Sequence, residues 1–135
     1  GRCWEIGTAL RAALDDWNGE ERIAVVASGG LSHFEVDVEL DRHVLAALAA
    51  GDETALRALP AERLVLGTSE IRNWIAVGAA LSQDHKFEVV DYVAAYRSEA
   101  ATGCGMAFAT WSNPGGAAGA ARSTDHQHLP KKKRK

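Results

Sequence analysis

Apolar residues recur along this chain with two periods, one helical and one alternating, and the switches between them outline the elements. Ile6, Leu10, Ala13, Leu14 and Trp17 fall at helical spacing. Trp4 to Asp16 therefore predicts an amphipathic helix, ended by Asn18-Gly19, with its apolar face on a sheet. Arg22 to Ala27 is a short apolar, β-branched run that predicts a buried strand, and it breaks into the turn Ser28-Gly29-Gly30. Val38 to Ala50 returns to helical spacing, with Leu40, Val44, Ala47 and Leu48 on one side and Gly51 as its stop. Asp52 to Leu59 predicts a short helix capped by Asp52 and stopped by Pro60. After the connector Ala61 to Gly67, Thr68 or Ser69 is placed to cap a longer helix running to about Leu81. Lys86 to Tyr96 fits a strand over its first half, Arg97 to Gly103 is a turn-rich connection, and Cys104 to Trp111 predicts a final strand.

Helices and strands in this order imply an α/β or α+β fold, a mixed sheet flanked by helices, over residues 1–111. From Ser112 the character changes: Asn113-Pro114-Gly115-Gly116 and the Ala, Gly, Ser and Thr that follow offer too few large apolar groups to order a segment. Residues 112–135 are thus expected to form a flexible, disordered tail. His126 and His128 lie inside it, and Leu129 to Lys135 resembles a monopartite nuclear localisation signal. That end equally suits a solvated basic terminus or a remnant of cloning or translation.

Composition narrows the class. The chain has 135 residues, enough for one domain, and no apolar run of the roughly 18 residues a membrane helix needs. The start lacks the charged-then-apolar order of a signal peptide, is not methionine, and already carries a helical pattern, so a partial domain cut from a longer chain is expected. Cys3 and Cys104 are the only cysteines, too few for a disulfide framework or a cysteine-ligated zinc, which favours a reducing, cytoplasmic setting. The formal net charge is −3, but setting aside the five basic residues 131–135 leaves ten basic against eighteen acidic residues, or −8. An acidic body argues against nucleic-acid binding by the folded part.

Two places carry candidate chemistry. Loops leaving the carboxyl ends of strands line the ligand crevice in open sheets, which puts Ser32 and His33 where a site is expected. Ser28, Gly29 and Gly30 would let backbone approach a substrate closely, and His33 supplies a group that changes charge near neutral pH. A structural or solvent-facing histidine fits the same spacing. The loop is neither a nucleophile elbow nor a phosphate-binding loop, since the second glycine of G-x-S-x-G and a following lysine are both missing. Glu70 falls in the first turn of its helix, on a face shared with Trp74 and Val77. It reads either as a residue complementing the helix dipole or as a functional carboxylate. His43 sits off the apolar stripe of its helix and reads as solvated.

With both places in view, the chain resembles the carboxyl-terminal half of a class III extradiol ring-cleavage dioxygenase, of the LigB-like, protocatechuate 4,5-dioxygenase type. Ser28-Gly29-Gly30-Leu31-Ser32-His33 resembles that family's loop with the catalytic histidine, and Ser69-Glu70-Ile71-Arg72-Asn73-Trp74 its helix with an iron-ligating glutamate. The likeness spans roughly Trp4 to Trp111, with similar character at Asp41-Arg42, Gly51-Asp52 and Thr102-Gly103. It implies a non-haem Fe(II) cofactor ligated by Glu70, acid/base work by His33, a catechol-type aromatic substrate and O2, and a homo- or hetero-oligomeric full-length protein. Two histidine ligands of the family lie in an amino-terminal half with no counterpart here, so this chain alone is expected to bind iron poorly and to be inactive. A non-enzymatic or inactive relative of the same fold, and a nuclear-targeted protein carried by its basic tail, are the competing expectations.

Overall fold

A computed structural model describes residues 1–81 and 83–113. The expectations for the tail beyond Asn113, including His126, His128 and the basic end, lie outside the described residues. Among these residues four α-helices, α1 Arg2–Asp15, α2 Val38–Ala50, α3 Glu53–Ala58 and α4 Ile71–Leu81, accompany three strands, β1 His33–Glu35, β2 Lys86–Tyr96 and β3 Thr102–Ser112. The strands form one sheet in the order β1-β3-β2, and both pairings are antiparallel. Helices over such a sheet make the α+β form of the expected class.

The helices that start and stop on local signals lie where the sequence places them. Asp37 caps α2 by accepting the Leu40 N–H at 2.9 Å, and Gly51 ends it in the left-handed conformation, φ 62°. Asp52 caps α3 in the same way through the Ala55 N–H. α2 buries Leu40, Val44, Leu45 and Leu48, which meet Leu31, Leu56, Ile71, Trp74 and Phe87 in the core. Trp111 joins them from β3, with its ring centroid 4.7 Å from Phe87 and 6.1 Å from Trp74.

Five expectations are corrected. Arg22 to Ala27 is not a strand: none of these residues forms a backbone hydrogen bond among the described residues, and Ile23 and Val26 are exposed. A β-branched run becomes a strand only where a neighbour takes its N–H and C=O groups. α1 packs chiefly on α4 rather than on the sheet, with Trp4 and Gly7 turned inward and Ile6 exposed. The sheet's inner face is already occupied by α2 and Trp74. α4 begins at Ile71, so Glu70 stands just ahead of the helix, and neither Thr68 nor Ser69 caps it. Their hydroxyls donate backward instead, to the carbonyls of Arg63 and Leu66. Finally, Ser112 belongs to β3, and β2 is a strand over its whole length.

Alternation along β2 and β3 sorts two faces. Phe87, Tyr92, Ala107, Ala109 and Trp111 turn toward the core, while Val93, Met106 and Phe108 are exposed on the other side. A bulge between Val89 and Asp91 shifts the register and leaves Val90 exposed. No helix among the described residues is long and apolar enough to cross a membrane.

Candidate active site

His33 opens β1 opposite Cys104 of β3. The chain reaches it through a loop pinned to β3 by two backbone bonds: the Leu31 N–H donates to Gly105 O at 2.9 Å and the Gly105 N–H to Ser32 O at 2.7 Å. Leu31 and Ser32 are fully buried, so the backbone entering His33 is held from within the core.

Glu70 arrives from the other direction, and the glycine loop ties the two together. The Asn73 side-chain amide donates to Ser28 O at 2.9 Å and the Trp74 indole N–H to Gly29 O at 3.1 Å. These bonds dock the start of α4 on the loop. Gly29 adopts φ 101°, and a Cβ there would lie 2.3 Å from Glu70 Cδ, so the carboxylate passes where only glycine leaves room.

The two residues singled out in the sequence thus meet. His33 Nε2 lies 2.8 Å from Glu70 Oε2, with both side chains partly exposed. His33 Nδ1 lies 3.4 Å from Cys104 Sγ. In the neutral ring these contacts assign a tautomer, with Nε2–H donating to the carboxylate and Nδ1 accepting the thiol proton. Burial pushes the Cys104 thiol above its usual pKa, and the charges of Asp41 and Glu70 push the same way, so the thiol keeps the proton it donates.

All three residues line a cavity of about 610 Å³, together with Phe34, Leu66, Tyr96 and Arg97. Phe34 and Leu66 both adopt left-handed φ, 68° and 49°, and both side chains stand largely in the open. Each such backbone costs on the order of 1 to 3 kcal/mol, a strain that clusters at functional sites. Ser28, Gly29 and Gly30 are not among the lining residues: the first two offer their carbonyls to α4, and Gly30 lies behind His33 and Cys104. His43 is exposed on α2, away from this site.

Cys104 escaped the sequence reading because its place beside His33 depends on the β1–β3 register. A second group it missed lies beneath the loop. The Ser32 and Tyr92 hydroxyls both donate to Asp41 Oδ2, at 2.7 and 2.8 Å, and Asp41 is fully buried. The signal was present, since Asp41 precedes Val44 by three residues and Leu48 by seven and so belongs to the buried stripe of α2.

A non-haem Fe(II) centre of the two-histidine, one-carboxylate kind needs three convergent protein ligands. Among the described residues no group of three or more His, Cys, Asp or Glu side chains is arranged to hold a metal ion. Glu70 is a suitable anionic donor, but its near neighbours are an imidazole hydrogen-bonded to it and a protonated thiol. These residues alone do not fit an iron centre.

A paired imidazole and carboxylate at a cavity can accept and donate protons. The model of one family, the catalytic LigB subunit of aromatic ring-opening dioxygenase, matches residues 1–108, and the chain belongs to that family. No curated protein and no solved structure matches it.

Proposed function

We propose that this chain is the carboxyl-terminal portion of a non-haem Fe(II)-dependent extradiol dioxygenase that opens catechol-type aromatic rings with O2. The observation that carries the reading is the 2.8 Å pairing of His33 with Glu70 at a cavity, in a chain of the ring-opening family. Glu70 would be one ligand. The two others must come from outside the described residues, which hold no three-donor group. Iron would supply binding positions for a catecholate and for O2.

His33 then works on protons. An Nε2 freed from Glu70 would accept a hydroxyl proton from the aromatic substrate and return it to the ring-opened product. The switch requires the other tautomer, in which Nδ1–H donates to Cys104 Sγ, and a thiol sulfur can accept as well as donate. The exposed faces of Phe34 and Tyr96 suit a flat apolar ring. The complete protein is assigned by this reading to the cytoplasm as a homo- or hetero-oligomer, which sedimentation of the full-length protein would measure.

An iron titration of this polypeptide beside one extended at its amino end, followed by oxygen uptake with a panel of catechols, tests the proposal. The extended form should bind Fe(II) far more tightly and yield a yellow ring-opened product. In it, Glu70→Ala should lose the metal, whereas His33→Ala should keep it and lose turnover by roughly 10²- to 10⁴-fold. Equal tight binding by both polypeptides, or full turnover by His33→Ala, would contradict the assignment.

A further inference from the structure

Asp41 occupies a place where an apolar residue would cost nothing. It lies on the buried stripe of α2 with Val44 and Leu48, has no exposed surface, and its Oδ1 has no hydrogen-bond partner. Burying a carboxyl group disfavours folding unless its bonds accomplish something specific. Its other oxygen gathers the Ser32 hydroxyl from the site loop and the Tyr92 hydroxyl from β2. Ser32 Oγ in turn accepts the Asp37 N–H at 3.0 Å, so its donor and one acceptor site are both used. Gly105 of β3 closes over this junction: a Cβ there would lie 1.8 Å from Asp41 Oδ2 and 2.8 Å from Ser32 Oγ. Its neighbour Cys104 pairs with His33. Four elements therefore converge on one carboxyl oxygen, and the two residues flanking that junction, His33 and Cys104, are those that face the cavity.

We propose that Asp41 is a positioning residue for His33: by accepting the Ser32 hydroxyl from inside the core, it fixes the residue before the imidazole and thereby aims the ring between Glu70 and Cys104. The catalytic meaning of this placement rests on the ring-opening reading, whereas the placement itself does not. Asp41 neither lines the cavity nor touches a reacting atom, and it acts on the placement of the ring through Ser32. What it requires of residue 41 is an acceptor oxygen at the Oδ2 position, which asparagine also provides.

Long-range ¹H–¹⁵N correlation of the His33 ring in the iron-free chain reads the placement without any turnover assay. The wild type should show one tautomer, protonated at Nε2. Ser32→Ala and Asp41→Leu should show an averaged tautomer and a Cys104 alkylation rate by iodoacetamide raised at least about tenfold, while Asp41→Asn, which also removes the charge felt by the thiol, should retain the wild-type ring tautomer. Denaturant unfolding run in parallel separates loss of stability from loss of placement; should Asp41→Leu not fold, Ser32→Ala decides. A folded Ser32→Ala with the wild-type ring signature and alkylation rate, or an Asp41→Asn whose ring tautomer is averaged like that of Asp41→Leu, would overturn the proposal. Failure of Glu70→Ala to lose iron in the extended protein would instead strike the ring-opening reading and leave this one standing.

Discussion

Gly29 and Glu70 are in contact so close that a single methyl group at residue 29 would lie 2.3 Å from the carboxylate carbon. The glycine carries the loop through a positive φ, and the glutamate reaches His33 across it. Gly29→Ala therefore combines backbone strain with a steric push on the carboxylate. It is expected to destabilise the fold by about 1 to 3 kcal/mol in urea unfolding. The His33 ring nitrogens should also shift as Glu70 is displaced; an unshifted ring in a folded variant would show that the carboxylate tolerates the intrusion.

Asp41 makes stability depend on pH in an unusual direction. Burial raises its pKa above the ordinary 3.8 and outweighs the lowering by the Ser32 and Tyr92 hydroxyls. The folded state thus holds the proton more tightly than the unfolded chain, so the native form binds more protons in the window that opens at 3.8. Stability contributed by this group is largest below that window and declines as pH rises through it. The stability of the wild type minus that of Asp41→Asn, measured by denaturant unfolding across pH, should fall on going upward from 3.8 and then level off. The difference cancels the other carboxylates; a gap that widened with pH would have the wrong sign.

The two faces of the hairpin should respond unequally to truncation. Phe87 is buried against Trp111, whereas Phe108 on the opposite face is 52% exposed. Phe87→Ala is expected to cost about 3 kcal/mol or more. Phe108→Ala should stay within roughly 0.5 kcal/mol of the wild type in the same unfolding experiment.

How far the sequence speaks depends on the range of the interaction. α2 and α3 were legible because Gly51 and Asp52 act within a turn of themselves, and because Val44 and Leu48 announce their own face. Arg22 to Ala27 was misread since strand formation depends on a distant neighbour, and β1 was not foreseen since it forms only where Thr102 to Cys104 offer a free edge. The loop around His33 and the segment around Glu70 were recognisable as local patterns. Cys104 and Tyr92 were not: both reach the site region through strand register, and Tyr92 comes within 2.8 Å of Asp41 from 51 residues away.

β1 has three residues and a single neighbour, while β2 and β3 are paired along almost their full lengths. Amides of His33 to Glu35 should consequently exchange with deuterated solvent well before those of the hairpin, at a free energy short of global unfolding. The part of the sheet with the fewest bonds to a neighbour is therefore the part that carries His33 to the cavity.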